Sequence, residues 1–173
     1  MISHGHEDDT EAAAVLDRPT PAPGPRGVCE LNAWHLGRIE GHAKRAYPEE
    51  CCGILVGARR GDRVTIHAAR PAVNLSRNGK RDRYEIAPDL ILRVARASEK
   101  DGHEVVGFYH SHPGHAPAPS ATDAARAWPG YVYVIVGVNG GGRAETRAWE
   151  YDEESGRFQE WLIGAPRASR RRA

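Results

Sequence analysis

Two histidines in alternation, His110 and His112, are followed by a carboxylate, Asp123, within the stretch EVVGFYHSHPGHAPAPSATDAARAWPGYVYVIVGV from Glu104 to Val138. Imidazole nitrogens and a carboxylate oxygen are donors for a divalent metal. Three of them with an open fourth position are what a catalytic zinc needs, because the open position holds the water that attacks. The local pattern says how they could meet. Val105, Val106, Phe108 and Tyr109 form a β-prone run bounded by Asp101-Gly102 and Pro113-Gly114, which predicts a buried strand. Side chains two apart on a strand share a face, so His110 and His112 converge while Ser111 turns away. Pro113, Gly114, Pro117 and Pro119 then forbid regular structure until Ser120, a candidate N-cap for a helix over Ala121 to Trp128. Asp123 falls in the first turn, where the helix dipole favours a carboxylate and where it can point back at the histidines. Each half of the pattern also has a structural explanation, as two surface histidines or as an ordinary helix start. Their combination at this spacing favours the metal.

Hydrolysis also needs a group that moves a proton. Upstream, Asn32 to Tyr47 carry Leu36, Ile39, Ala43 and Ala46 at helical spacing, which predicts an amphipathic helix stopped by Pro48. The apolar strand that follows, Cys51 to Val56, is introduced by two acids, Glu49 and Glu50, one of which stands where the chain enters the core. A carboxylate there, near a water of lowered pKa, could take its proton and pass it to a leaving nitrogen.

These residues resemble the JAMM (JAB, MPN+) zinc metalloprotease family. Its motif is an upstream Glu, then His-x-His-Pro, six residues, and Ser-x-x-Asp. Here His110-Ser111-His112-Pro113, Gly114 to Pro119 and Ser120-Ala121-Thr122-Asp123 match without a gap, and Pro48-Glu49-Glu50-Cys51-Cys52-Gly53 is similar to the bacterial form of the Glu segment. The resemblance covers roughly residues 28 to 163. It implies that His110, His112 and Asp123 bind zinc and that Glu50 activates the water, with Glu49 its exposed neighbour. It also implies that the Ser120 hydroxyl helps hold the oxyanion, a job compatible with capping the helix. Some members of the family have lost the ligands and act as scaffolds, whereas this chain retains all of them.

Composition fits one compact catalytic domain. The 173 residues suffice for a single substantial core, and 40% hydrophobic with 27% charged residues is ordinary for a soluble protein. Residues 1–27 hold 5 acids and 2 bases, residues 164–173 hold 4 bases and no acid, and the middle holds 18 of each. The first stretch, with Pro19, Pro21, Pro23 and Pro25, predicts a disordered tail; the second, with Arg167, Arg170, Arg171 and Arg172, predicts a basic, solvated one. No secretion signal or membrane-spanning run is evident, so a cytoplasmic location is expected. The 3 cysteines, Cys29, Cys51 and Cys52, suit neither a disulfide framework nor a structural zinc site; core packing accounts for Cys51 or Cys52. His4 and His6 fall in the first tail, and His35, His42, His67 and His103 read as surface or capping residues. His115, between the ligands, is a candidate for lining a substrate groove.

Around these features the chain predicts strands at Val28–Leu31, Cys51–Val56, Arg63–Ala69, Arg83–Ile86, Tyr131–Val138, Thr146–Tyr151 and Arg157–Ile163. A further helix runs from Pro88 to about Lys100, with Pro88 suited to a first turn. Asn139-Gly140-Gly141-Gly142 and Ser155-Gly156 mark hairpin turns. That order predicts an α+β fold, a mostly antiparallel mixed sheet flanked by helices. The resemblance implies a single MPN/JAB domain of cytidine-deaminase-like architecture.

Members similar to this chain cut amide or isopeptide bonds at the C-terminus of ubiquitin-like proteins, including bacterial sulfur carriers ending in Gly-Gly. Eukaryotic members carry an insertion beyond the ligand Asp. Only seven residues separate Asp123 from Tyr131, so a compact bacterial-type enzyme is expected. A flexible tail is naturally held along a sheet edge, and the polar, basic segment Leu75 to Tyr84 is the candidate edge or docking surface. A nucleoside deaminase would need His-x-Glu with Pro-Cys-x-x-Cys, which is absent. A catalytically silent scaffold of the same fold and a DNA-associated relative remain as alternatives; nucleic acid is not the expected partner.

Overall fold

The computed structural model describes residues 24–77 and 79–166. The predicted tails, with His4, His6 and the arginines from Arg167 onward, lie outside the described residues except for positions 24–27 and 164–166. The N-terminal stretch joins the fold ahead of the expected boundary. Arg26 donates its N–H to the Glu160 carbonyl, Gly27 accepts from the Leu162 N–H, and Arg26 pairs with Asp152.

Seven strands and three helices follow one another among the described residues: β1 (Val28–Glu30), α1 (Ala33–Ala46), β2 (Cys52–Arg60), β3 (Arg63–Ala72), α2 (Pro88–Glu99), β4 (Glu104–Pro113), α3 (Ala121–Arg126), β5 (Val132–Val138), β6 (Ala144–Asp152) and β7 (Arg157–Gly164). The mixed sheet was expected; its closure was not. The order β1-β3-β2-β4-β5-β6-β7 closes into a barrel because β1 pairs in parallel with both β3 and β7. The β4–β5 pair is also parallel, and the other four pairs are antiparallel. The predicted strand Arg83–Ile86 does not form. Those residues are tied instead to Asn74 and Leu75, whose hydrogen bonds hold the segment as a loop against the site.

The helices form where side chains satisfy their ends and one face is apolar. Asn32 Oδ1 accepts the His35 N–H at 2.8 Å and starts α1, which buries Ile39 and Ala43. His35 is buried on that face, contrary to the surface position expected. His42 is partly buried, with Nδ1 2.9 Å from the Tyr109 hydroxyl. On α2, Pro88 occupies the first turn, where its missing N–H costs nothing.

One apolar cluster joins Ile39 and Ala43 of α1 to Leu55, Tyr109, Val134 and Trp161 of the sheet. On the other face, Cys52, Ile54, Phe108 and Tyr133 pack with Ile86 and with Leu90, Ile91 and Val94 of α2. Strands covered on both faces read as continuous apolar runs, as CGILV and VYVIV do here. The adjacent cysteines divide between the two clusters, Cys51 to the first and Cys52 to the second, as opposite faces of a strand require.

The central strands approach too closely for a side chain at Gly107. A Cβ there would lie 1.9 Å from the Val132 carbonyl oxygen of β5. Gly107→Ala therefore loosens the β4–β5 pair that carries the histidines. The expected outcome is a loss of about 2–3 kcal/mol, read as a lower urea midpoint at unchanged slope. A variant with the parent's midpoint would contradict this packing.

Candidate active site

β4 carries His110 and His112 to one face near its C-terminal end, paired on one side with β2 (Cys52 opposite His110) and on the other with β5 (Ile135 opposite His110). Both rings are buried, His110 completely. Ser111 points to the opposite face, where its Oγ accepts the Cys51 N–H at 2.9 Å and its own N–H donates to the Cys51 carbonyl at 3.1 Å. The residue between the histidines thus fixes the entry of β2, immediately after Glu50.

Asp123 arrives on α3 through a capping box. Ser120 Oγ accepts the Asp123 N–H at 3.1 Å, and Asp123 Oδ2 accepts the Ser120 N–H at 2.7 Å and the Ser120 hydroxyl at 2.6 Å. This aims the carboxylate at both histidines, with Oδ1 3.1 Å from His110 Nε2 and Oδ2 3.4 Å from His112 Nε2. The helix is shorter than predicted, ending at Arg126 rather than Trp128. Glu50 is buried just ahead of β2 with Oε1 4.0 Å from His112 Nε2, whereas Glu49 is exposed.

The donor chemistry fits a zinc-sized cation. The Nε2 atoms of His110 and His112 are 3.0 Å apart, and the carboxylate oxygens stand 3.1 and 3.4 Å from them. Ligands about 2.0–2.1 Å from a tetrahedral ion are separated by about 3.3 Å along each edge. The His112 Nδ1–H donates to the Ala116 carbonyl at 3.4 Å, which leaves the Nε2 lone pair toward the other donors. His110 Nδ1 is buried without a hydrogen-bond partner among the described residues, and the ring is stacked under Tyr84 with centroids 4.4 Å apart.

Burial and charge act oppositely on the two carboxylates. Desolvation pushes the Glu50 carboxyl up to about 7, with the nearby His112 opposing and Asp123 and Asp82 reinforcing the rise. Asp123 is also desolvated, yet the hydrogen bonds and charges of His110 and His112, helped by Ser120, hold it well below the usual carboxylate range. Burial lowers His110. For His112 burial works downward too, but the Asp123 carboxylate and then Glu50 outweigh it and the ring is raised.

A groove leads from Glu50 and Asp123 along Tyr84, Ile86, Phe108 and Trp128. His115 is exposed and does not line it, contrary to the sequence expectation. Sequence reasoning did not single out Tyr84, although an aromatic residue within a polar, basic loop was a usable signal. All three cysteines are free and buried, and desolvation pushes their thiols up, to about 12 for Cys29 and Cys52 and about 11 for Cys51, so none is poised as a thiolate. Among the described residues no helix is long and apolar enough to cross a membrane.

The chain is similar to known proteins in both sequence and fold. The family described as prokaryotic homologs of the JAB domain matches residues 33–152. A desampylase from Haloferax volcanii is 44% identical over 107 residues, covering 61% of this chain and 73% of its own length. A CysO-cysteine peptidase from Mycobacterium tuberculosis is 35% identical over 123 residues, covering 70% and 82%. A probable TtuB-protein conjugate cleaving protease from Thermus thermophilus is 31% identical over 116 residues, covering 67% and 70%. Two solution structures share the fold. A protein from Desulfitobacterium hafniense has a TM-score of 0.69 at 25% identity, covering 82% of this chain and 94% of that one. A protein from Salinibacter ruber has a TM-score of 0.63 at 34% identity, covering 81% and 93%. With its site on β4 and α3 inside the matched segment, this chain belongs to the prokaryotic JAB-domain family.

Proposed function

We propose that this protein is a zinc-dependent peptidase or isopeptidase that hydrolyses the amide bond at the C-terminus of a ubiquitin-like or sulfur-carrier protein with a Gly-Gly tail. The observation that carries the reading is the triangle of His110, His112 and Asp123 donors with the buried Glu50 beside it. The relatives support it, since they are named for desampylation, for CysO-cysteine cleavage and for cleaving TtuB-protein conjugates. The same proposal takes residues 28–163 as the catalytic domain, its architecture as cytidine-deaminase-like and its location as cytoplasmic.

A zinc ion held by His110, His112 and Asp123 supplies Lewis acidity and a water acidic enough to ionise near neutral pH. Glu50 does the proton work. With its pKa pushed up to about 7, it can accept and return a proton in the neutral range. It takes a proton from the attacking water as the new C–O bond forms and delivers it to the amine nitrogen as the C–N bond breaks. Asp123, kept ionised, stays a ligand throughout. Ser120 caps α3 and offers its hydroxyl to the oxyanion; at present that hydroxyl donates to Asp123 Oδ2, so the second task requires it to turn. The substrate tail lies in the groove, with the Tyr84 loop as one wall, which adapts the proposed docking role of Leu75–Tyr84 to a segment that is not a strand.

Zinc-loaded protein incubated with ubiquitin-like carriers ending in Gly-Gly-Cys, and with lysine-linked conjugates of the same carriers, is expected to release the Gly-Gly form of at least one, read by mass spectrometry. Glu50→Gln should lower kcat by about 10²–10⁴-fold and keep its zinc, whereas His110→Ala should lose the zinc. Intact substrates in both series, with zinc bound, would sink the proposal.

A second expectation concerns pH. Folding raises the Glu50 pKa from its ordinary 4.5 to about 7, so the folded chain holds this proton more tightly and chelator-treated protein loses stability as pH rises through that window. Glutamine cannot ionise. At pH 8, metal-free Glu50→Gln should therefore melt about 2–8 °C above the parent, corresponding to about 1–2 kcal/mol once solvent screening is discounted. At pH 4 the two should melt together, and a gap of the same size there would refute the assignment.

A further inference from the structure

Glu50 lies outside the strand that follows it, and both of its backbone groups are held by one loop. Its N–H donates to the Lys80 carbonyl at 2.6 Å, and its carbonyl accepts from Asn74 Nδ2 at 3.1 Å. The Asn74 amide does more than this. Nδ2 also donates to the Arg83 carbonyl at 3.0 Å, and Oδ1 accepts the N–H groups of Ser76 at 3.0 Å and Glu85 at 3.2 Å. Two donors and two lone pairs are all engaged, which is the full capacity of an amide side chain. The Leu75 N–H bond to the Glu85 carbonyl, 2.9 Å, closes the neck of the same loop. Beyond the neck the loop carries Tyr84 onto the His110 ring.

By contrast, no hydrogen bond among the described residues orients the Glu50 carboxylate, whose contact with His112 Nε2 is 4.0 Å. Its aim is therefore set by where its backbone is held. We propose that Asn74 is a positioning residue for hydrolysis: its amide locks the Glu50 carbonyl to the loop neck and so fixes the reach of the carboxylate beside His112. The inference rests on the reading of Glu50 as the group that moves the proton.

Asn74→Asp separates the two tasks of the amide. The aspartate still accepts the Ser76 and Glu85 N–H groups, so the neck can close, but it cannot donate to Glu50 or Arg83 and sets an oxygen against their carbonyls. Misplacement of a reacting group by about 1 Å costs about 10²-fold. With zinc-loaded protein and a ubiquitin-like carrier ending in Gly-Gly-Cys, Asn74→Asp should lower kcat by about 10–100-fold while KM stays within about twofold and one zinc remains bound. Placed on Glu50→Gln, it should add no further loss, because a residue that acts through Glu50 has nothing left to position. Asn74→Ala, which lacks the charge, is the second variant and should show the same split and the same non-additivity.

A parental kcat in both variants overturns the inference. So does a loss that multiplies with that of Glu50→Gln, or a loss in both variants that follows lost zinc or lost folding. An inactive Glu50→Gln beside a fully active Asn74→Asp overturns this inference alone. A fully active Glu50→Gln overturns the reading of Glu50 itself, and the inference with it.

Discussion

Two imidazole nitrogens 3.0 Å apart, each with one oxygen of the same carboxylate 3.1 or 3.4 Å away, repel one another unless a proton or a cation lies among them, and the architecture of this protein maintains that crowding. Two imidazole nitrogens come from alternate positions of one strand, so their spacing follows from the pleat and cannot be relaxed without breaking β4 from its partners. The carboxylate comes from a separate element, and it is pinned from behind by the Ser120 N–H and hydroxyl. In the proposed chelate the strand sets the bite, and the cap sets its closure.

Neighbouring carboxylates are thereby given different chemistry by their surroundings. Asp123 faces two imidazoles and a cap, and stays ionised far below the usual range. Glu50 is desolvated with only the more distant His112 in opposition, and titrates near neutrality. Under the proposed roles this gives a ligand that stays ionised beside a base that readily protonates, the division hydrolysis requires, with one functional group in two environments.

What could be read from the chain followed the range of the interaction. The Ser120 N-cap, the first-turn proline of α2 and the shared face of His110 and His112 all depend on residues within four positions of one another, and each appears in the structure as expected. The acid at the core entry was also legible, and burial separates Glu50 from exposed Glu49. Barrel closure was not legible, because it depends on β1 pairing with strands about 35 and 134 positions away. Nor was the fate of Arg83–Ile86. Its backbone partners belong to Asn74 and Leu75 rather than to a strand, a choice made by tertiary contact.

The same distinction of range separates the two halves of the site. The histidines belong to a strand paired on both sides, and their positions are shared with the most deeply buried part of the fold. Glu50 and the ring over His110 depend instead on one loop, closed at its neck by the Asn74 amide and the Leu75–Glu85 backbone bond and joined to Glu50 by that amide and the Lys80 carbonyl. Strand pairing distributes a perturbation over a ladder of hydrogen bonds, whereas a loop closed at one neck concentrates it there. The two histidines are accordingly the rigid part of the site, and the placement of Glu50, the proposed base, is the one most exposed to change in its supports.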